Sequence, residues 1–124
     1  MIIEGISIAS LLKAFEKFEQ FRVNQATEQE RAGIIQSFEY CFELCWKTMK
    51  RLLNGRGKEA HSPKETFRMA ALEGFIRDPE IWFDFLQKRN LTVHTYNPSE
   101  AEQVIAICPS FSKEVKNFLQ AIGA

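Results

Sequence analysis

TEQERAGIIQSFEYCFELCWKTMKRLLN, residues 27–54, reads as one long amphipathic helix. Its apolar residues Ile35, Phe38, Phe42, Cys45, Trp46, Met49, Leu52 and Leu53 recur at the intervals that line one helix face. That stripe belongs to a segment of about seven turns at 3.6 residues each. Thr27 stands three residues before Glu30. At that spacing hydroxyl and carboxylate reciprocally satisfy the unpaired N–H groups of a first turn. Asn54-Gly55-Arg56-Gly57-Lys58 then stops the helix and connects onward. It is not a phosphate loop, because no Gly-Lys-Ser/Thr follows and no strand precedes it. Tyr40 and Leu44 fall off the main stripe, which implies a second buried face or a partner.

The same grammar recurs along the chain. Ser62-Pro63-Lys64-Glu65 and Asn97-Pro98-Ser99-Glu100 repeat the capping-box spacing. Pro63, Pro79 and Pro98 each follow a capping Ser, Asp or Asn and fall at a first helical position, where no N–H is missed. Ile8, Leu11, Leu12, Phe15 and Phe18 form an earlier stripe. Phe67, Ala70, Ala71 and Leu72 belong to a short helix ending near Gly74, and Ile81, Trp82, Phe85 and Leu86 begin another. Val104, Ile105 and Cys108 carry the last helix to Pro109, which is expected to kink or end it. Phe111, Val115, Phe118, Leu119 and Ile122 form a final helical stretch, and no alternating strand pattern is visible. The expectation is an all-α protein, a single domain over 1–124, built as an antiparallel four-helix up-and-down bundle with short extra helices.

Composition narrows the function. A chain of 124 residues, 45% hydrophobic and 26% charged, can bury a real core without staples. Eleven Phe are a heavy aromatic load, some of which is expected in an interface. Sixteen basic and 16 acidic residues cancel, so no global field draws the protein to nucleic acid and any such contact needs a local patch. Cys41, Cys45 and Cys108 fit a reducing compartment and read as buried thiols rather than metal ligands. The opening residues lack a basic region of the signal-peptide type, and no apolar run is long enough to span a bilayer. The expected location is cytoplasmic.

Arg89-Asn90-Leu91-Thr92-Val93-His94-Thr95-Tyr96 is where polar residues exceed structural need. A guanidinium can stabilise charge on phosphate oxygens, and an imidazole can move a proton near neutral pH. In a regular helix Arg89 and Tyr96 lie about 20° apart around the axis, but His94 lies about 140° from Arg89. Either the helix loosens over Thr92–Thr95, or a second subunit completes the site. Asn90 and His94 would share a face in an unbroken helix. A plainer reading is that His, Tyr and Arg cap carbonyls and pack a helix junction. His61, in a linker beside a cap, carries only that plainer reading.

Arg89-x4-His94-x-Tyr96 resembles the Arg-x(4–6)-His-x-Tyr motif of HepT-like proteins of the HEPN (higher eukaryotes and prokaryotes nucleotide-binding) superfamily. Phe38-Glu39, Glu43-Leu44, Trp46-Lys47, Ser62-Pro63 and Trp82 extend the resemblance to the proteins named nucleotidyltransferase substrate-binding, from about Ile8 to Phe111. The resemblance implies a homodimer partnered by a separately encoded minimal nucleotidyltransferase. It further implies a metal-independent ribonuclease site, with no cofactor, in which Arg89 holds the RNA phosphate and His94 transfers protons. Tyr96 would then be the residue that receives AMP, whose charge and bulk would silence the site. Asn90, Thr92, Glu39, Glu43 and Lys47 are supporting candidates. The resemblance leaves open a non-catalytic subunit that binds nucleotide or another substrate, and a purely structural partner.

Overall fold

The computed structural model describes residues 1–124. Five α-helices follow a short hairpin: α1 Ala9–Phe21, α2 Glu28–Gly55, α3 Pro63–Leu72, α4 Pro79–Leu91 and α5 Pro98–Ala121. The expected all-α bundle is present, as five α-helices of which α3 is the shortest. The hairpin pairs β1 (Ile2–Ile3) with β2 (Ile6–Ser7), in the register Ile2 with Ser7 and Ile3 with Ile6. It corrects the expectation of no strand. Two residues per strand are too few for an alternating pattern to register. Glu4 and Gly5 turn the corner at φ values of 49° and 79°, the left-handed geometry that matches a two-residue hairpin to strand twist.

Helix α2 is the spine and contacts each of the other four helices. Its start is the expected reciprocal box: the Thr27 N–H donates to Glu30 Oε1 and the Glu30 N–H to Thr27 Oγ1, both at 3.0 Å. The other two boxes are incomplete. Ser62 accepts from the Glu65 N–H, but the Glu65 carboxylate accepts from the His61 N–H instead of that of Ser62. Asn97 accepts from Ser99, one residue short of Glu100, because its amide oxygen satisfies the second N–H of the turn. The three prolines do occupy first helical positions.

The Phe load lies mostly in the core. Phe111 of α5 packs edge-on against Phe18, Phe38 and Phe85, with ring centroids 4.9–5.2 Å apart. Trp82 meets Phe85 at 5.1 Å. All five rings are fully buried. Edge-to-face geometry adds about 0.5–1.5 kcal/mol per pair beyond area burial. Such contacts fix the angles at which α1, α2, α4 and α5 meet. Phe21 is the exposed member of the set.

Pro109 does not end α5, which runs unbroken from Pro98 to Ala121. The proline ring is exposed, so it sits on the outer side, where a curved helix tolerates a lost bond best. One turn below, the Cys108 thiol donates to the Val104 carbonyl at 3.4 Å.

The Gly-rich connection after α2 is tied down. Arg56 donates to both Glu4 oxygens and to Glu73, and its guanidinium lies 4.5 Å above the Phe75 ring. It thereby joins the hairpin to the ends of α2 and α3. No helix is long and apolar enough to cross a membrane.

Candidate functional site

The site forms where α4 gives way to α5. Thr92 and Val93 are β-branched, which disfavours continued helix. The Thr92 hydroxyl donates to the Arg89 carbonyl at 2.7 Å, and the Thr95 hydroxyl donates to the Thr92 carbonyl at 3.2 Å. These hydroxyls add to the hydrogen bonding of carbonyls at the helix end, where the Arg89 carbonyl also accepts the Thr92 N–H. The chain tightens into a 3₁₀ turn over Thr92–His94, and the Asn97 N–H then closes onto the His94 carbonyl at 3.0 Å. Of the two geometries open to the sequence, loosening over Thr92–Thr95 is therefore realised. It also removes Asn90 and His94 from a common helix face.

Arg89 turns inward to α2. Its guanidinium pairs with the Glu43 carboxylate and lies 5.9 Å from the Phe42 ring centre. The two paired side chains are only about 30% and 28% exposed. Glu43 is itself held: it accepts from Trp46 Nε1 at 3.1 Å, and Lys47 Nζ lies 3.8 Å away. Arg89 Nε is buried without an acceptor.

His94 and Tyr96 are both exposed and contact each other, with ring centroids 6.2 Å apart and planes near perpendicular. The fold thus brings Arg89 to Glu43 and Phe42, and His94 to Tyr96. No hydrogen bond or ion pair joins the two groups within the chain. Glu39 and Asn90 are exposed, and neither contacts Arg89 through an ion pair or hydrogen bond. Lys47, largely exposed, reaches the site only through Glu43.

Sequence reasoning missed the direct Arg89–Glu43 pair, although both residues were candidates. It also missed a groove of about 580 Å³ between α1 and α2, lined by Lys13, Lys17, Phe21, Glu39, Tyr40 and Glu43 among others. Tyr40, which the stripe left unplaced, is 60% exposed beside it. The cysteines are buried as expected. Burial, and then the neighbouring Cys41, push the Cys45 thiol well above its ordinary range, and burial pushes Cys108 up to about 12.

The chain thus carries, at the broken junction of the last two of its five helices, the Arg-x4-His-x-Tyr segment by which it resembles HEPN proteins. The chain matches the family described as nucleotidyltransferase substrate binding protein like over residues 6–124, and it belongs to that HepT-like family. It is 35% identical over 96 residues to a "Probable ribonuclease HepT" of Haemophilus influenzae. That match covers 73% of this chain and spans 66% of the relative's length. The crystal structure of a Thermus thermophilus protein superposes with a TM-score of 0.86 at 30% identity, covering 92% of this chain and 99% of the other. A solved structure from Haemophilus influenzae superposes at 0.83 and 29% identity, covering 95% of this chain and 100% of the other. Its structure is described as revealing the fold of a substrate binding domain of a nucleotidyltransferase.

Proposed function

We propose that this chain is the non-catalytic nucleotide- or substrate-binding subunit of a nucleotidyltransferase encoded as a separate protein. The observation that carries this reading is the pairing of Arg89 with Glu43 over the Phe42 ring. In this arrangement the guanidinium is paired with a partly buried carboxylate of α2 rather than presented to a phosphate. The family match over residues 6–124 and the solved substrate-binding fold support the same reading. A transferase supplies the chemistry, and this chain supplies binding surface and orientation. The test is equilibrium binding by the assembled pair. Saturable substrate binding that disappears when this chain is withdrawn is the expected result. Equal affinity for the transferase alone would overturn it.

A second reading is favoured by the intact Arg89, His94 and Tyr96 set and by the relative named as a probable ribonuclease. In it the protein is a toxin that pairs with a second copy, so that two motif segments form a metal-independent RNase site. Arg89 swings from Glu43 to the scissile phosphate. His94, already in solvent, exchanges protons with the 2′-OH or the leaving oxygen. Tyr96 is the point at which a partner transferase attaches AMP. Its ring is 85% exposed, so its hydroxyl is open to a transferase. RNA cleavage by unmodified dimer, abolished by Arg89→Ala or His94→Ala with folding intact, would establish this reading. Uncut RNA with unmodified, dimeric wild-type protein would remove it.

A further inference from the structure

The groove between α1 and α2 is polarised across its width. Lys13 and Lys17 stand on the α1 wall one turn apart, about 6 Å along the axis at 1.5 Å per residue. Both are exposed, and neither has a carboxylate within ion-pair distance. Their neighbour Glu19 is already taken by Arg22, Ser112 and Lys116. The α2 wall presents the opposite character, with carboxylates Glu39 and Glu43, the amide of Gln36 and the exposed ring of Tyr40. Phe21 adds a second half-exposed ring.

A ligand matching both walls is anionic at one end and carries a flat, hydrogen-bond-donating ring at the other. Its anion meets two unneutralised ammonium groups. Its amino or hydroxyl donors meet carboxylates that would repel the anion, and its ring stacks on Tyr40. The volume of about 580 Å³ lies within the range of about 300–1,000 Å³ found for small-ligand sites. We infer that this groove is a nucleotide-binding site, with phosphate on Lys13 and Lys17 and base on Tyr40. The proposal rests on the substrate-binding reading and gives that reading a location away from the His94–Tyr96 turn. Glu43 connects the two places, since it lines the groove and also pairs with Arg89.

The nucleotide unit has two sources, a free nucleotide or a single-stranded RNA segment, so both are used as probes. Full-length chain is titrated with ATP and, separately, with a short single-stranded RNA. The probes are repeated on Lys13→Gln/Lys17→Gln, Tyr40→Ala, Tyr40→Phe and the charge-matched control Lys64→Gln/Lys113→Gln. Folding of each variant is checked by circular dichroism. The expected result is saturable binding of at least one probe, weakened about tenfold or more by the groove double variant, as loss of charge-assisted contacts implies. Tyr40→Ala should weaken it further than Tyr40→Phe, which keeps the stacking face. Tight ATP binding identifies the free nucleotide as ligand, and RNA binding alone identifies the strand. Equal weakening by the control double variant, or none by the groove variant, overturns the groove as the site while leaving the subunit reading standing. No binding of either probe also overturns the groove. The subunit reading is then judged separately, by substrate binding of the assembled pair.

Discussion

Arg89, in the last turn of α4, directs its charge to Glu43 in the middle of α2 rather than to the neighbouring His94. The pair spans two helices and rests on the Phe42 ring, so it braces the bundle at the point where α4 breaks. Removing one partner leaves a partly buried charge unmatched, which costs more than an exposed ion pair is worth. Because both side chains keep close to a third of their exposure, the cost of Glu43→Ala should be about 1 kcal/mol. Thermal unfolding should show a Tm lower by about 3–6 °C for a chain of this size. A double-mutant cycle with Arg89→Ala should return a favourable coupling. Additive losses would show that the two residues do not stabilise each other.

Acid stability should depend on two carboxylates. Hydrogen bonds from Arg56, opposed by slight burial and aided by its charge, hold Glu4 below the usual carboxylate range. At Glu19 burial acts upward but is outweighed by hydrogen bonds from Arg22 and Ser112 and by the charges of Arg22 and Lys116, so the net shift is downward. A depressed folded pKa contributes stability that is present above the unfolded value of about 4.5 and is lost as pH falls through the folded one. Urea midpoints should therefore fall as pH drops below about 5, and Arg56→Gln and Ser112→Ala should each flatten that fall. An unchanged acid slope in both variants would contradict the assignment.

The buried thiols should be inert in the native state. With Cys108 at about 12, only about one molecule in ten thousand carries its thiolate at pH 8. Iodoacetamide in native buffer at pH 8 should leave all three cysteines unmodified by mass, and denaturant should expose all three. Rapid labelling of the native protein would show that the core opens readily.

Replacing Pro109 should stabilise the protein. The residue lacks the N–H that would bond to the Ile105 carbonyl, and its ring lies on the exposed face. Pro109→Ala restores that bond without opening a cavity, with an expected gain of about 1 kcal/mol or more. A lower Tm would contradict this and show that proline at 109 favours the native packing of α5.

These cases show what was legible in the sequence and what was not. The stripes of α1, α2 and α5 and the capping residues Thr27, Ser62, Asp78 and Asn97 are local signals, so the helices and their starts could be read directly. The hairpin escaped because Ile2–Ile3 and Ile6–Ser7 are shorter than one alternation. Whether Pro109 ends the helix depends on which side of it faces solvent, a tertiary fact, and α5 runs on through it. Spacing identified Arg89, His94 and Tyr96 as residues of interest and foresaw that a straight helix could not gather them. The Glu43–Arg89 pair is set by how α4 docks on α2, and no local spacing encodes it. The groove is equally tertiary: Lys13 and Lys17 look like ordinary surface charge until α2 places Tyr40 and Glu39 opposite them.

The central claim is most directly tested by the transferase itself. Its apparent KM for the acceptor substrate is measured at fixed enzyme concentration while this chain is titrated in. The account predicts a KM that falls and then levels at a fixed ratio of the two chains, with the chain alone inactive. A KM that stays constant across the titration, with the two chains shown to be bound, would contradict it.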